Sequence, residues 1–460
     1  MRKIYAAFLC VALAVMALPC ALMPFVSSLI GAENRLPAEM PVLADENGLN
    51  FSFPAQYEDW LNDHIALRKL FITEYANMLR LMGTSPQDQV ILGRDGWLFF
   101  RKTLDDYTGE NAFSGDEIAR IALMLDTIDA TLRAQGSCLI VAIAPNKASI
   151  YPEYMNAAYP QNQNAGNAER VMQSLHAVSV PLFDILRGHA AEGVYFHTDT
   201  HWNALGARYA ANAILSALAD ETGTPIALPD TDASYELIAD WPGDLSRTLN
   251  PYTDEREAQQ HYGECHSFQY KGRARSPEAL TISTKGGQAP LKILVLRDSF
   301  CNLLLDDISA AIGEVTYLRA MPLPLTELEG IDAVVFEMAE RRLKELLDKP
   351  PVIRAVKAGA PERLNEAALA SSHIEVEVTR DGARISGWLD REPGRLSEAL
   401  LGIRTEDEEC WYVAMPVSGL DGHTGQGFSA LLNALPEDAM VRAFMEGDDI
   451  TVVSEWKRAE

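Results

Sequence analysis

Cys138-Leu139-Ile140-Val141-Ala142-Ile143-Ala144 is seven residues without a charge or an amide, and it stops at Pro145-Asn146-Lys147. A short, unbroken apolar run ended by proline reads as a strand buried on both faces, as in a parallel sheet enclosed by helices. The flanks agree. Ser114 stands three residues before Glu117, the capping-box spacing, and opens a helix over about 115–134. Downstream, helices are expected near 168–176 and 203–221, with a strand at 180–185 between them. Further strands are expected at 292–296, 315–318 and 333–336, with a helix over about 302–312 between the first two. Strands alternating with helices imply an α/β fold built on a mainly parallel sheet.

Outside this region the pattern changes. Residues 4–32 carry no charge, Arg2 and Lys3 precede them, and Glu33 and Arg35 follow. A run longer than the roughly 20 residues that span a bilayer predicts an N-terminal transmembrane helix, and the basic start puts the bulk of the chain outside the cytoplasm. A cleaved signal peptide is the alternative. A helical pattern begins near Pro54 with Tyr57, Trp60, Leu61, Ile65 and Leu70, and a hairpin is expected around Asp95-Gly96. Between about 230 and 290 the apolar periodicity weakens into a loop-rich insertion. From 361 to 460, alternating segments separated by turn residues predict a small all-β sandwich, with Trp388, Trp411 and Tyr412 on its strands. The expected organisation is therefore an anchor or signal segment at 1–32, an α/β domain at 33–350 and a β module at 361–460.

With 39 basic against 65 acidic residues, the 460-residue chain has a formal charge of -26, which excludes a nucleic-acid partner. Its six cysteines include no C-x-x-C pair and do not form a disulfide scaffold. His261, Cys265 and His266 lack a second ligand pair at zinc spacing and read as loop residues. No metal or organic cofactor is expected.

In an open α/β sheet, ligands gather at the carboxyl ends of the strands. That rule selects Asn146 and Lys147, Asp298-Ser299, and residues 337–341. Ser299 falls where a strand gives way to a helix, a position that suits a nucleophile near helix N–H groups and equally suits an N-cap. The companion is His197-Thr198-Asp199-Thr200-His201-Trp202-Asn203. Asp199 and His201, two apart in an extended segment, point the same way and make an acid–base pair. The purely structural alternative has Asp199 capping the following helix.

The string Thr198-Asp199-Thr200-His201-Trp202, followed much later by Asp298-Ser299-Phe300, resembles the AlgX/AlgJ-type and DHHW branch of SGNH hydrolase-like proteins. The resemblance extends to Glu33-Asn34-Arg35, the Gly93 to Phe99 hairpin, Pro145 with Lys147, Gly243-Asp244-Leu245, and Glu337 with Glu340-Arg341, in one consistent order over roughly 30–345. It implies O-acetylation of a cell-surface or exopolysaccharide, with a membrane-bound O-acyltransferase as acetyl donor. By the same resemblance Ser299 is the nucleophile, His201 the general base and Asp199 its orienting acid. Asn146, Lys147, Trp202 and Arg341 are the candidate substrate-pocket residues, with ordinary loop or strand-end contacts the alternative for Asn146, Lys147 and Arg341. Arg297 departs from the family's pattern, which favours glycine there. A carbohydrate esterase, and a non-catalytic carbohydrate-binding or scaffold protein of a polysaccharide assembly complex, are the alternatives.

Overall fold

The computed structural model describes residues 2–26, 36–46, 48–263, 267–320, 324–326, 328–379, 382–390, 396–418 and 426–459. At its centre is a seven-stranded sheet in the order Val178–Ser179, Cys138–Ala144, Ala333–Ala339, Ala289–Leu296, Ile312–Leu318, Thr281–Lys285, Gln269–Tyr270. The first five strands pair in parallel, and Thr281–Lys285 pairs antiparallel with both of its neighbours, Ile312–Leu318 and Gln269–Tyr270. The α/β class holds, while the sheet is mixed. Only ten residues separate Tyr270 from Thr281, too few for the dozen or more that a parallel crossover needs.

Burial explains the unbroken apolar strands. Leu139, Val141 and Ile143 join Val334, Phe336 and Met338 against Ile121, Leu125, Ile128 and Leu132 of the helix Gly115–Arg133. Ile140 and Ala142 face the other way with Ile293 and Val295, against Ala207, Ala210, Ile214 and Leu218 of the helix Ala204–Thr222. Each large side chain so enclosed contributes about 1.5–3 kcal/mol. The capping box forms: Ser114 Oγ accepts Glu117 N at 3.2 Å, and Glu117 Oε2 accepts Ser114 N at 2.8 Å.

Two local expectations are corrected. The strand placed at 180–185 is only Val178–Ser179, and Leu182–Gly188 is helical. Pro181 has no N–H to continue the pairing, and Leu182, Phe183 and Leu186 are buried at helical spacing. The single pattern beginning near Pro54 is two helices, Phe53–His64 and Arg68–Leu81, parted by Leu67 at φ 64°. The hairpin pairs Val90–Leu92 with Leu98–Phe100, and both Asp95 and Gly96 have positive φ.

The N-terminal expectation is also revised. The first helix is Arg2–Leu22, with Pro19 inside it, and turns follow it, so the uncharged run is not one continuous helix. Among the described residues no helix is long and apolar enough to cross a membrane. Residues 27–35 lie outside those described, as do Cys265 and His266.

The C-terminal region forms two β-sheets. A four-stranded sheet orders Ser372–Thr379, Gly382–Leu389, Gln426–Leu432 and Met415–Ser418, and a second is built around Leu396–Arg404 and Met440–Gly447. Ile385, Phe428, Leu401, Val441 and Ala443 share one buried cluster, the packing of a sandwich. Trp411 is buried against Phe444, while Trp388 is half-buried and stacks on His373. Tyr412, also half-buried, packs against the sandwich core. Met415 and Val417 belong to the core that Leu125 helps to fill, so this region packs on the Gly115–Arg133 helix.

Candidate active site

The strand Ala289–Leu296 delivers Arg297, Asp298 and Ser299 to the sheet's carboxyl edge, where Ser299 opens a 3-10 turn over Phe300–Leu303. Asp298 shapes that turn. Its Oδ1 accepts Phe300 N at 2.9 Å, and its Oδ2 accepts Ala339 N at 2.9 Å from the end of the neighbouring strand. Asp298 N in turn donates to Glu337 Oε2 at 3.0 Å. Complete burial, with the Asp298 charge second, pushes the Glu337 carboxyl well above the usual range.

The loop carrying Asp199 and His201 closes on this turn. Tyr195 and Trp202 pair across it as an isolated antiparallel bridge, and Asn203 N donates to Val194 O at 3.1 Å. Gly206 sits so near that a Cβ there would lie 2.2 Å from Val194 O. Asn203 caps the helix Ala204–Thr222, its Oδ1 accepting Gly206 N at 3.0 Å, which leaves Asp199 for other work. His201 Nε2 lies 2.9 Å from Ser299 Oγ, and His201 Nδ1 lies 2.7 Å from Asp199 Oδ1. Asp199 is 2 % exposed and accepts three further N–H groups: His201 N at 3.0 Å, Trp241 Nε1 at 3.0 Å and Asp244 N at 2.9 Å. Burial alone would raise its carboxyl, but the hydrogen bond and charge of His201, with the Asp244 and His201 N–H groups, outweigh it and hold Asp199 at about 2.

The four residues expected in the pocket are placed differently from one another. Lys147 is 4 % exposed, and its ammonium donates to the carbonyls of Phe196 at 3.0 Å, His197 at 2.8 Å and Asp199 at 2.6 Å. It braces the Asp199–His201 loop from inside. Asn146 is buried, its N–H on Glu340 Oε2 and its Nδ2 on Asp106 Oδ2. Trp202 is fully buried, donating Nε1 to Phe300 O at 3.0 Å and meeting the Phe300 ring edge-on at 4.9 Å. Arg341 alone is half-exposed, its guanidinium 5.1 Å from the Phe300 ring and 5.7 Å from the Phe100 ring.

Arg297 turns its side chain away into the insertion. Nη1 donates to Asn302 Oδ1 at 2.8 Å, and Nη2 donates to the carbonyls of Pro277 and Ala279 at 2.8 and 2.7 Å. A bulky residue is thus accommodated where glycine is common. Arg297→Gly is expected to orphan those carbonyls, cost about 1–3 kcal/mol, lower the thermal midpoint and slow any Ser299-dependent ester turnover by loosening the turn that carries Ser299. Calorimetry beside an ester-turnover assay checks both parts.

The insertion supplies three residues that sequence reasoning missed. Trp241 and Asp244 reach Asp199 as described, and Glu257 accepts His197 N at 2.5 Å, Thr198 N at 2.9 Å and Thr198 Oγ1 at 2.8 Å. Gly243 lies so close to Thr198 that a Cβ would fall 2.4 Å from its carbonyl oxygen. The string Trp241-Pro242-Gly243-Asp244-Leu245 is visible in the sequence, but no spacing relates it to His201. His197 itself is exposed, its ring 4.3 Å from that of Trp97. Asp199, His201 and Asp244 offer atoms within 4.8 Å of one another, as metal ligands do, yet each Asp199 oxygen already accepts two N–H groups.

Comparison with known proteins follows the same lines. Residues 90–281 match the family model described as the SGNH hydrolase-like domain of acetyltransferase AlgX, a stretch that holds Asp199 and His201 and stops short of Ser299. The probable alginate O-acetylase AlgJ of Pseudomonas putida is 30% identical over 167 residues, 35% of this chain and 42% of that protein. Its counterpart in Pseudomonas aeruginosa is 24% identical over 175 residues, 37% of this chain and 44% of that protein. The chain thus spans less than half the length of these curated relatives. Among solved structures, the O-acetyltransferase domain of Pseudomonas putida AlgJ aligns at 19% identity and TM-score 0.36, covering 55% of this chain and 91% of that one. Bacillus cereus PatB1 aligns at 15% identity and TM-score 0.43, covering 54% and 95%. Residues 90–281 are thus similar to the SGNH hydrolase-like domain of acetyltransferase AlgX, in line with the Asp199, His201 and Ser299 motifs.

Proposed function

We propose that this protein transfers an acetyl group, through an acyl-Ser299, onto hydroxyls of a polysaccharide outside the cytoplasm. The observation that carries it is the relay from Ser299 Oγ through the His201 ring to Asp199, at 2.9 and 2.7 Å. His201 Nε2 takes the Ser299 proton as Oγ attacks the donor's acetyl carbonyl. The imidazolium returns that proton to the leaving group as the acyl-serine forms. A sugar hydroxyl then gives its proton to Nε2 and attacks the acyl carbonyl, and Ser299 leaves with the proton back on Oγ. Asp199 keeps Nδ1 protonated and the ring in place throughout.

The resemblance supports a membrane-bound O-acyltransferase as donor, and Arg2-Lys3 before an uncharged run supports export. The curated relatives are named for alginate, which supports an exopolysaccharide acceptor. Because the chain carries a charge of -26, an acidic polymer would need local cations, and Arg341 beside the Ser299 turn is assigned to that task. Residues 33–350 would form the acyl-transfer unit and 361–460 the appended β module.

The test is intact mass spectrometry after incubation with p-nitrophenyl acetate. Wild type gains one acetyl group or turns over the ester, and Ser299→Ala does neither. Equal behaviour of the two folded proteins overturns the assignment. Addition of an oligosaccharide then separates transfer from hydrolysis, since only a transferase yields acetylated sugar.

A further inference from the structure

Asp244 stands outside the Ser-His-Asp relay, yet its carboxylate lies against it. Oδ2 accepts the Thr200 hydroxyl at 2.5 Å and stands 3.8 Å from His201 Nδ1, while Oδ1 accepts Thr200 N at 2.8 Å. The Thr200 hydroxyl oxygen is itself 3.1 Å from Nδ1. Its only hydrogen is committed to Asp244, so a lone pair is left for the ring. The Nδ1–H is then shared between Asp199 Oδ1 and Thr200 Oγ1. The N–H of Asp244 also donates to Asp199 Oδ2 at 2.9 Å, so one residue fixes both the primary acid and the hydroxyl beside it.

We propose that Asp244, acting through the Thr200 hydroxyl, is a second acidic positioning residue that fixes the His201 ring and shares the imidazolium charge formed during acyl transfer. The inference rests on His201 being the base for Ser299. A carboxylate polarises the hydroxyl it accepts from, which makes that oxygen the better acceptor for Nδ1–H. Its charge at 3.8 Å also favours the protonated ring. The other charged groups near the ring are the Asp199 carboxylate on the same loop, the Lys147 ammonium on the loop's carbonyls and Glu257 on its N–H groups. Arg341 lies beyond the Phe300 ring. Partial burial, then the Asp199 charge, raise the Asp244 carboxyl, as two acids crowded onto one imidazole require.

The full chain is tested as wild type, Asp244→Asn, Thr200→Val and Thr200→Ser, with two readouts. The first is the pH profile of Ser299 acylation by p-nitrophenyl acetate. The second is an NMR titration of the His201 ring, its resonance identified by its loss in His201→Ala. Asp244→Asn is expected to slow acylation roughly 10–100-fold and to move both the acid limb and the His201 titration to lower pH by about half a unit or more. Thr200→Val is expected to do much the same, Thr200→Ser to restore wild-type behaviour, and the double variant Thr200→Val with Asp244→Asn to cost little more than either alone. An unmoved His201 titration in folded Asp244→Asn, or additive losses in the double variant, overturns the proposal. If wild type shows no Ser299-dependent acylation, the enzyme assignment fails, while the ring titration still decides whether Asp244 acts on His201.

Discussion

Asp199→Asn is expected to slow Ser299 acylation by roughly 10⁴-fold, and His201→Ala by roughly 10⁶-fold, with the fold of both variants retained. The asymmetry follows from the contacts. Without His201 the observed relay has no group to take the Ser299 Oγ proton. With asparagine at 199 the ring stays in place, but the amide can accept on one side only. Four N–H groups, from His201 twice, Trp241 and Asp244, converge on two oxygens. An amide NH₂ in either position faces donors, and in the position of Oδ1 it also favours the wrong imidazole tautomer. Stopped-flow acylation with an activated ester measures the rates, and circular dichroism checks the fold. Acid adds a second signature. Asp199 is held at about 2, below its ordinary 3.8, so the stability it contributes is complete above pH 4 and is lost as pH falls from there towards 2. Wild type is expected to lose about 2 kcal/mol relative to Asp199→Asn over that window, read as converging denaturation midpoints.

Lys147→Met is expected to be the most destabilising change at the site. Three carbonyl oxygens, of Phe196, His197 and Asp199, lose their donor at once. At about 1–3 kcal/mol for each buried group left unpaired, the loss is on the order of 3 kcal/mol or more and the thermal midpoint falls by about 5–10 °C. Because those carbonyls belong to the loop that aims His201, acylation also falls, by roughly 10²-fold for a displacement near 1 Å. The pH dependence has a defined sign. Burial pushes the ammonium down to about 8 from its ordinary 10.5, against the opposing pull of Asp199, Asp244 and Glu257. The cost of burying its charge is full below pH 8 and fades between pH 8 and 10.5. Across that window wild type gains up to about 3 kcal/mol relative to Lys147→Met, which scanning calorimetry at a series of pH values would show.

The α/β architecture was legible because the strands Cys138–Ala144 and Ala333–Ala339 are covered on both faces, so burial writes itself as apolar runs, unbroken over 138–144 and over 333–336 before Glu337. The pair Asp199 and His201 was legible because two residues of extended chain fix its geometry without help from elsewhere. Four features were not, each for a physical reason. Leu182, Phe183, Ile185 and Leu186 extend the apolar run begun at Val180, and Pro181 is the residue that marks the change to helix. The bend at Leu67 needs one residue with positive φ and leaves helical spacing intact on both sides. Lys147 was visible as a residue at a strand end, but whether its ammonium meets a ligand or three carbonyls depends on a loop some fifty positions away. Trp241, Asp244 and Glu257 were hidden by the same rule: a hydrogen bond to residue 199 leaves no trace in the spacing around residue 241.

The insertion touches both halves of the proposed catalytic pair, His201 and Ser299. Trp241, Asp244 and Glu257 hold the histidine loop, while Arg297 ties the carbonyls of Pro277 and Ala279 to the serine turn. Surface loops ordinarily absorb insertions and deletions at little thermodynamic cost. This one has no such freedom at either end, since a change of length would be felt at His201 or at Ser299 before it was felt in the core. Redesign of the proposed acyl-transfer site for new acceptors would therefore leave this segment intact and look for variation elsewhere around Ser299.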